Sequence, residues 1–230
     1  MYHYLEEELD QLRTKLIKMG SLVEEQIDFA TRSLFENNPE LAKIVIDRDV
    51  KVDKYDVKID KICQRIFALT QPVAVDLRII MAALKINNDL ERIGDIAVNI
   101  AERAEPLKEN LELLKQAGLC DMAEKVKLMM NKTIDSMVNN DHELAFGVIK
   151  SDDVIDEMEQ DIFRSLIARM EKDPSIIKPC AHCIILLRHF ERLADHATNI
   201  AEEVVFLVDA KIIKHKKNLD DLGVKPDEVL

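Results

Sequence analysis

Glu91, Asp95 and Asn99 stand at i, i+4 and i+8, and one hundred residues later Glu191, Asp195 and Asn199 stand at the same spacing. Both triplets lie in near-copies of one stretch, ERIGDIAVNIAE at 91–102 and ERLADHATNIAE at 191–202, in which eight of twelve letters agree. Helix packing accounts for the repeated Ile and Ala, but not for the repeated Glu, Arg, Asp and Asn. Two further acid pairs, Asp49 with Asp53 and Asp152 with Asp156, also stand at i, i+4. Like charges at that spacing repel by roughly 0.2–0.5 kcal/mol, so a helix gains nothing from four such pairs unless something cationic sits between them. Carboxylates beside amide oxygens make a hard donor set suited to magnesium, calcium, manganese or iron rather than to a soft zinc site. The candidate metal ligands are Glu91, Asp95, Asp49 and Asp53 in one half and Glu191, Asp195, Asp152 and Asp156 in the other. The bland alternative is a solvated acidic face answered by Arg48, Arg92, Arg188 and Arg192.

These acids need long helices to align them. Apolar residues recur at spacings of three and four, as in Val52, Tyr55, Ile59, Ile62, Ile66 and Leu69, and again in Ala83, Ile86, Leu90, Ile93, Ala97 and Ile100. Breaks fall at ENNPE, TQP, Pro106, NNDHE and KDPS. The pattern predicts helices at about 4–37, 39–70, 73–105, 107–139, 141–171 and 176–213, with Gly20 too mild a breaker to end the first. A thirty-residue helix is about 45 Å long. At 100° per residue the acid rows of the third and sixth helices lie about 130–210° from their core seams, on an outer face. Asn87 extends the first row, and Glu202 and Glu203 lie near the lower end of the second.

The halves match beyond the acid rows. NPELA at 38–42 answers DHELA at 141–145, and Asp49, Asp53 and Ile59 answer Asp152, Asp156 and Ile162 at an offset of 103, which falls to 100 by the third helix of each half. A period near one hundred is a duplicated domain rather than a solenoid. The expected fold is all-α, with two tandem pseudo-symmetric three-helix bundles packed side by side or end to end. The repeats span 1–105 and 106–214, followed by a tail at 215–230.

Composition narrows the function. With 32 basic and 44 acidic residues the formal charge is -12, which argues against a nucleic-acid footprint. The opening MYHYLEEELD has neither a basic nor an apolar leader region, and runs such as IIMAAL are too short to span a bilayer, so a cytoplasmic location is expected. Cys180 and Cys183 form a lone C-x-x-C without a second pair or a thioredoxin-like context, and they read as helix-start cysteines. His189 and His196 lie on the flank opposite the acids and read first as partly buried or partner-facing histidines; of the two, His196 has the better claim as a ligand because it adjoins Asp195. The run KIIKHKK suits a helix C-terminus, with a basic docking patch as a second reading. No phosphate loop, dinucleotide fingerprint, nucleophile elbow or H-E-x-x-H motif occurs. A ferritin-like di-iron core would need Glu-x-x-His, which is absent.

The duplicated unit, with TQPVAVDLRIIMAALKINNDLERIGD leading into NIAE, resembles the PhoU family of phosphate-uptake regulators over about Leu5 to Lys214. The lead-in residues are Gln71, Pro72, Asp76, Leu77 and Arg78. The resemblance implies a cytoplasmic, non-enzymatic negative regulator of the phosphate-starvation response. Such a protein is an adaptor between the ATPase subunit of the phosphate ABC transporter and a membrane sensor histidine kinase. It further implies multinuclear iron or other metal ions, such as manganese or magnesium, on the acid motif, a homodimer, and membrane association only through partners. The second repeat departs from the family pattern with Ala194 in place of Gly and KPCAHCIILL in place of the Asp-Leu-Arg lead-in, and the first has Ile96 where His is frequent. A metal-dependent carboxylate enzyme and a ligand-free structural bundle are the alternative readings.

Overall fold

In the computed structural model the described residues are 2–210 and 213. They form helices α1 (Tyr2–Phe35), α2 (Pro39–Leu69), α3 (Val75–Ala101), α4 (Ala104–Leu107), α5 (Leu111–Ala117), α6 (Leu119–Asn139), α7 (His142–Lys172) and α8 (Ile177–Asp209), with a 3-10 turn at Pro174–Ile176. Local signals explain most boundaries. Asn38 caps α2 by accepting from the amides of Glu40 and Leu41, with Pro39 in the first turn. Asp141 caps α7 by accepting from the Leu144 amide. Gly20 does not interrupt α1; it faces Met137 and Ile134, so the missing side chain lets α1 lie close to α6.

Three boundaries differ from the sequence expectation. The span 107–139 is not one helix: α4 ends at Leu107, where the Asn110 amide turns back to the Leu107 carbonyl, and Gly118 at φ +90 divides α5 from α6 in the left-handed conformation that favours glycine. The third helix is shorter than 73–105. It starts after Ala74, held at φ 48, and ends at Ala101, where the Arg103 amide turns back to Ile100. The last helix stops at Asp209, with Ala210 left-handed, so KIIKHKK lies almost wholly outside the described residues, as does the tail at 215–230.

Helices α1, α2 and α3 pack on one another, as do α6, α7 and α8, and the two trios meet side by side through α3 against α8 and α1 against α6. The α3–α8 crossing is antiparallel: Lys85 reaches Glu203, Asp89 reaches His196, and Arg103 reaches His182. One continuous apolar core runs through both trios, from Leu12, Met19 and Ile27 to Phe190, Leu193 and Ile200. Because α3 and α8 touch both their own trio and the opposite one, they bury much more of their circumference than a single seam would. In α3, Ile80, Ala82, Ile86, Asp89, Ile93, Gly94 and Ile96 are all buried. No helix among the described residues is long and apolar enough to cross a membrane.

Candidate functional site

The central position of α3 and α8 sets the surroundings of the acid rows. They stay off the buried seams but line two surface grooves, one between α2 and α3 and one between α7 and α8, where Asp53, Asp156 and Asp195 are exposed and the other carboxylates partly buried. Gly94 shows how close the first groove is: a Cβ there would meet Val52 Cγ1 at 3.1 Å and Asp49 Oδ1 at 3.5 Å. Ala194, itself buried, fills the equivalent position in the second repeat.

In the first groove Asp49, Asp53 and Asp56 from α2 face Glu91 and Asp95 from α3. Burial pushes the Asp49 carboxyl above its ordinary value, and the charges of Asp53 and Asp95 add to this. Glu91 is raised by burial and then by Asp95, with Asp56 and Asp53 contributing and Arg92 opposing. Asp56 is raised by burial and by Asp60, against a hydrogen bond donated by Asn87 Nδ2 to Asp56 Oδ1 at 2.6 Å. Arg92 is the cation at this groove, 3.5 Å from Glu91 and 3.6 Å from Asp95, and is itself half-exposed.

The second groove repeats the arrangement with Asp152, Asp156 and Glu159 from α7 facing Glu191 and Asp195 from α8. Asp152 is pushed up to about 6, first by burial and then by Asp156 and Asp195. The Thr198 hydroxyl, buried beside it, partly offsets that rise. Burial and neighbouring acids also raise Glu191 and Asp195. Arg188 lies 3.2 Å from Glu159 and 3.8 Å from Glu191.

All eight sequence-predicted ligands fall in these two grooves, four to each, but the rows are longer than expected. Asp56 and Glu159 lie one turn beyond Asp53 and Asp156 and at the same offset of 103, a signal present in the sequence. Several neighbours depart from the expected rows. Asn199 turns from its row toward the other repeat, donating to Asp89 Oδ1 at 3.4 Å. Glu203, 2% exposed, crosses to Lys85 at 3.0 Å. His196, on the flank away from the acid row as expected, binds Asp89 at 2.8 Å. Arg48 pairs with Glu25 and lies over Phe29, and Arg192 makes no ion pair among the described residues. Cys180 and Cys183 are buried near the start of α8, with the Cys183 thiol pushed up to about 12 by burial.

The donors in both grooves are oxygens, which suits a hard cation. No three acidic, imidazole or thiol side chains of the described residues are gathered closely enough to form a ligand set as they stand. Mutual repulsion spreads uncompensated carboxylates apart, and a cation would draw them together by side-chain rotation.

The PhoU domain family matches the chain twice, over residues 16–104 and 119–204. A protein named phosphate-specific transport system accessory protein PhoU homolog, from Aquifex aeolicus, is 43% identical over 209 residues, which cover 91% of this chain and 95% of that protein. A homolog of the same name from Caulobacter vibrioides is 35% identical over 219 residues, 94% of this chain and 95% of its own. Among solved structures, PhoU from Pseudomonas aeruginosa superposes with a TM-score of 0.83 at 34% identity, covering 90% of this chain and 99% of that one. The phosphate transport system regulatory protein PhoU from Streptococcus pneumoniae gives 0.80 at 27% identity, covering 90% and 98%. The chain belongs to the PhoU family and carries that family's domain twice.

Proposed function

We propose that this chain is an accessory regulator of phosphate-specific transport. It acts by contact rather than by catalysis, on the cytoplasmic side of the membrane. It joins the ATPase subunit of the phosphate ABC transporter to a sensor histidine kinase, and its two carboxylate grooves hold hard cations such as iron, manganese or magnesium. Family membership supports the transport role. The observation that carries the metal reading is the repetition, in both halves, of five acids facing one another across a helix pair, three of which are partly desolvated and raised with the help of their acidic neighbours, with a single arginine bridging two of the acids in each groove.

The residues that would hold the ions are Asp49, Asp53, Asp56, Glu91 and Asp95 in the first groove and Asp152, Asp156, Glu159, Glu191 and Asp195 in the second. A bound cation would cancel like-charge repulsion and lock α2 to α3 and α7 to α8. The chain's own residues supply the binding surface: Gly94 sets the helix approach, and Arg92 and Arg188 partly neutralise each groove in the absence of a cation.

Co-purification of the purified chain with the ATPase subunit, and separately with the kinase, tests the adaptor role. Retention on either partner is expected, and loss of both, with and without phosphate and metal, contradicts it.

A further inference from the structure

The antiparallel α3–α8 crossing relates the two repeats, so each pair across it has a counterpart at the other end with residue numbers shifted by one hundred. At one end the charges balance. Asp89 receives His196 at 2.8 Å and Asn199 at 3.4 Å, and Lys85 holds Glu203 at 3.0 and 3.1 Å. At the other end the counterpart of Asp89 is His189, that of His196 is Ile96, and that of Glu203 is Arg103. Both acids have become bases, and the cations that answered them have not become acids: the counterpart of Lys85 is Ile185.

The result is a basic cluster in a chain of formal charge -12. Arg103 Nη1 lies 3.4 Å from His182 Nδ1, so a neutral His182 accepts there and presents its other ring nitrogen as a donor. His189 lies two turns along α8 from His182, on the same face, within reach of the charges of Arg103 and Arg192. Arg103 Nε and His189 Nδ1 are buried atoms with no hydrogen-bond partner. Among the described residues no carboxylate pairs with Arg103, Arg192, His182 or His189. A cation near the C-terminus of α3 complements the helix dipole, which accounts for Arg103 alone but not for imidazoles beside it.

We propose that Arg103, His182 and His189, flanked by Arg192, form a binding site for a small tetrahedral oxyanion where the end of α3 crosses α8, with inorganic phosphate as the doubly charged case. The anion supplies the negative charge that Asp89 and Glu203 supply at the opposite end. The guanidinium offers a planar fork of donors, which matches tetrahedral oxyanions in two-point contact, and the imidazoles add single donors. Arg192 is exposed, its charge also reaches Asp195, and it serves as the rim of the site. The site uses none of the carboxylate-groove ligands, so it stands or falls apart from the metal reading.

The full chain, purified without phosphate, is titrated with sodium phosphate, with sodium sulfate, and with sodium chloride at matched ionic strength. Binding is followed by calorimetry and by the imidazole resonances of His182 and His189. Saturable shifts of both rings with phosphate, absent with chloride, are expected, and a matching response to sulfate marks a general oxyanion site. Arg103→Gln is expected to weaken binding about tenfold or more, the size of a lost charge-assisted hydrogen bond. Lys108→Gln, an exposed neighbour paired with Glu105, is expected to bind as the parent does. Melting temperatures without anion show that each variant folds, and Arg192→Gln at the exposed rim provides a second test should Arg103→Gln fail to fold. No saturable response to either oxyanion, or unchanged phosphate binding in folded Arg103→Gln or Arg192→Gln chains, overturns the proposal.

Discussion

At the residue scale the acids are costly, and Asp152 is the clearest case. An aspartate whose folded pKa is raised holds its proton more tightly when folded, so it withdraws stability as pH climbs from its ordinary value of 3.8 through about 6, and the penalty is complete above that window. In chelator-treated protein, unfolding stability is therefore expected to fall across that interval. Asp152→Asn is expected to flatten the fall and to raise stability near neutral pH by about 1–2 kcal/mol, with partial solvation of the groove holding the figure down. Urea melts at several pH values measure both. Added manganese should stabilise the parent near neutral pH and do less for the variant; equal stabilisation of both would place the ion elsewhere. The sequence made Asp152 and its partners visible through spacing alone. It hid Asp56 and Glu159 only because the rows were followed for two acids rather than three, although the offset of 103 continues through them. It could not show that His196, Asn199 and Glu203 turn toward the other repeat, since that depends on which element faces α8.

At the element scale, the pairing of α2 with α3 rests on a missing side chain. Gly94 admits Val52 so closely that a Cβ there would meet Val52 Cγ1 at 3.1 Å. Gly94→Val is expected to push α2 from α3 and cost about 1–3 kcal/mol, as overpacking of a close helix contact does. It should also weaken cation binding in the first groove while sparing the second. Denaturant unfolding together with metal titration of single-groove variants checks both effects; an unchanged midpoint would show that the contact yields without strain. Helix existence and the caps at Asn38 and Asp141 were readable from period and capping residues. The break at Gly118 was not, because α5 and α6 keep a helical period on both sides of a single left-handed residue. The acid rows do lie off the buried seams, as expected, but the sequence did not show that they line grooves rather than an open face. A helix with one neighbour group has one seam, whereas α3 and α8 pack against both trios, and that extra burial draws the rows into grooves.

At the scale of the whole molecule, the two repeats are joined by the α3–α8 and α1–α6 contacts and by a continuous core. The duplication was plain in the sequence. The choice between side-by-side and end-to-end packing was not, because it depends on cross-repeat pairs more than one hundred residues apart, such as Lys85 with Glu203. That pair is one polar tie across the joint. Lys85→Ala takes the ammonium from beside a 2% exposed carboxylate and is expected to cost about 1–3 kcal/mol, more than Glu203→Gln, whose amide carries no charge to strand. Calorimetric melting of the two variants checks the order; the reverse order would mean that the joint depends on packing and not on charge.

The central claim is that the paired grooves are cation sites built twice into one fold. Metal analysis of protein prepared without chelator, beside an Asp95→Ala and Asp195→Ala double variant of confirmed fold, tests it most directly. The expected result is bound iron, manganese or magnesium in the parent and a large loss of it in the variant. Equal metal content in the two, or none in the parent even after incubation with each ion, would contradict the claim and leave the acid rows as solvated flanks of a helical bundle.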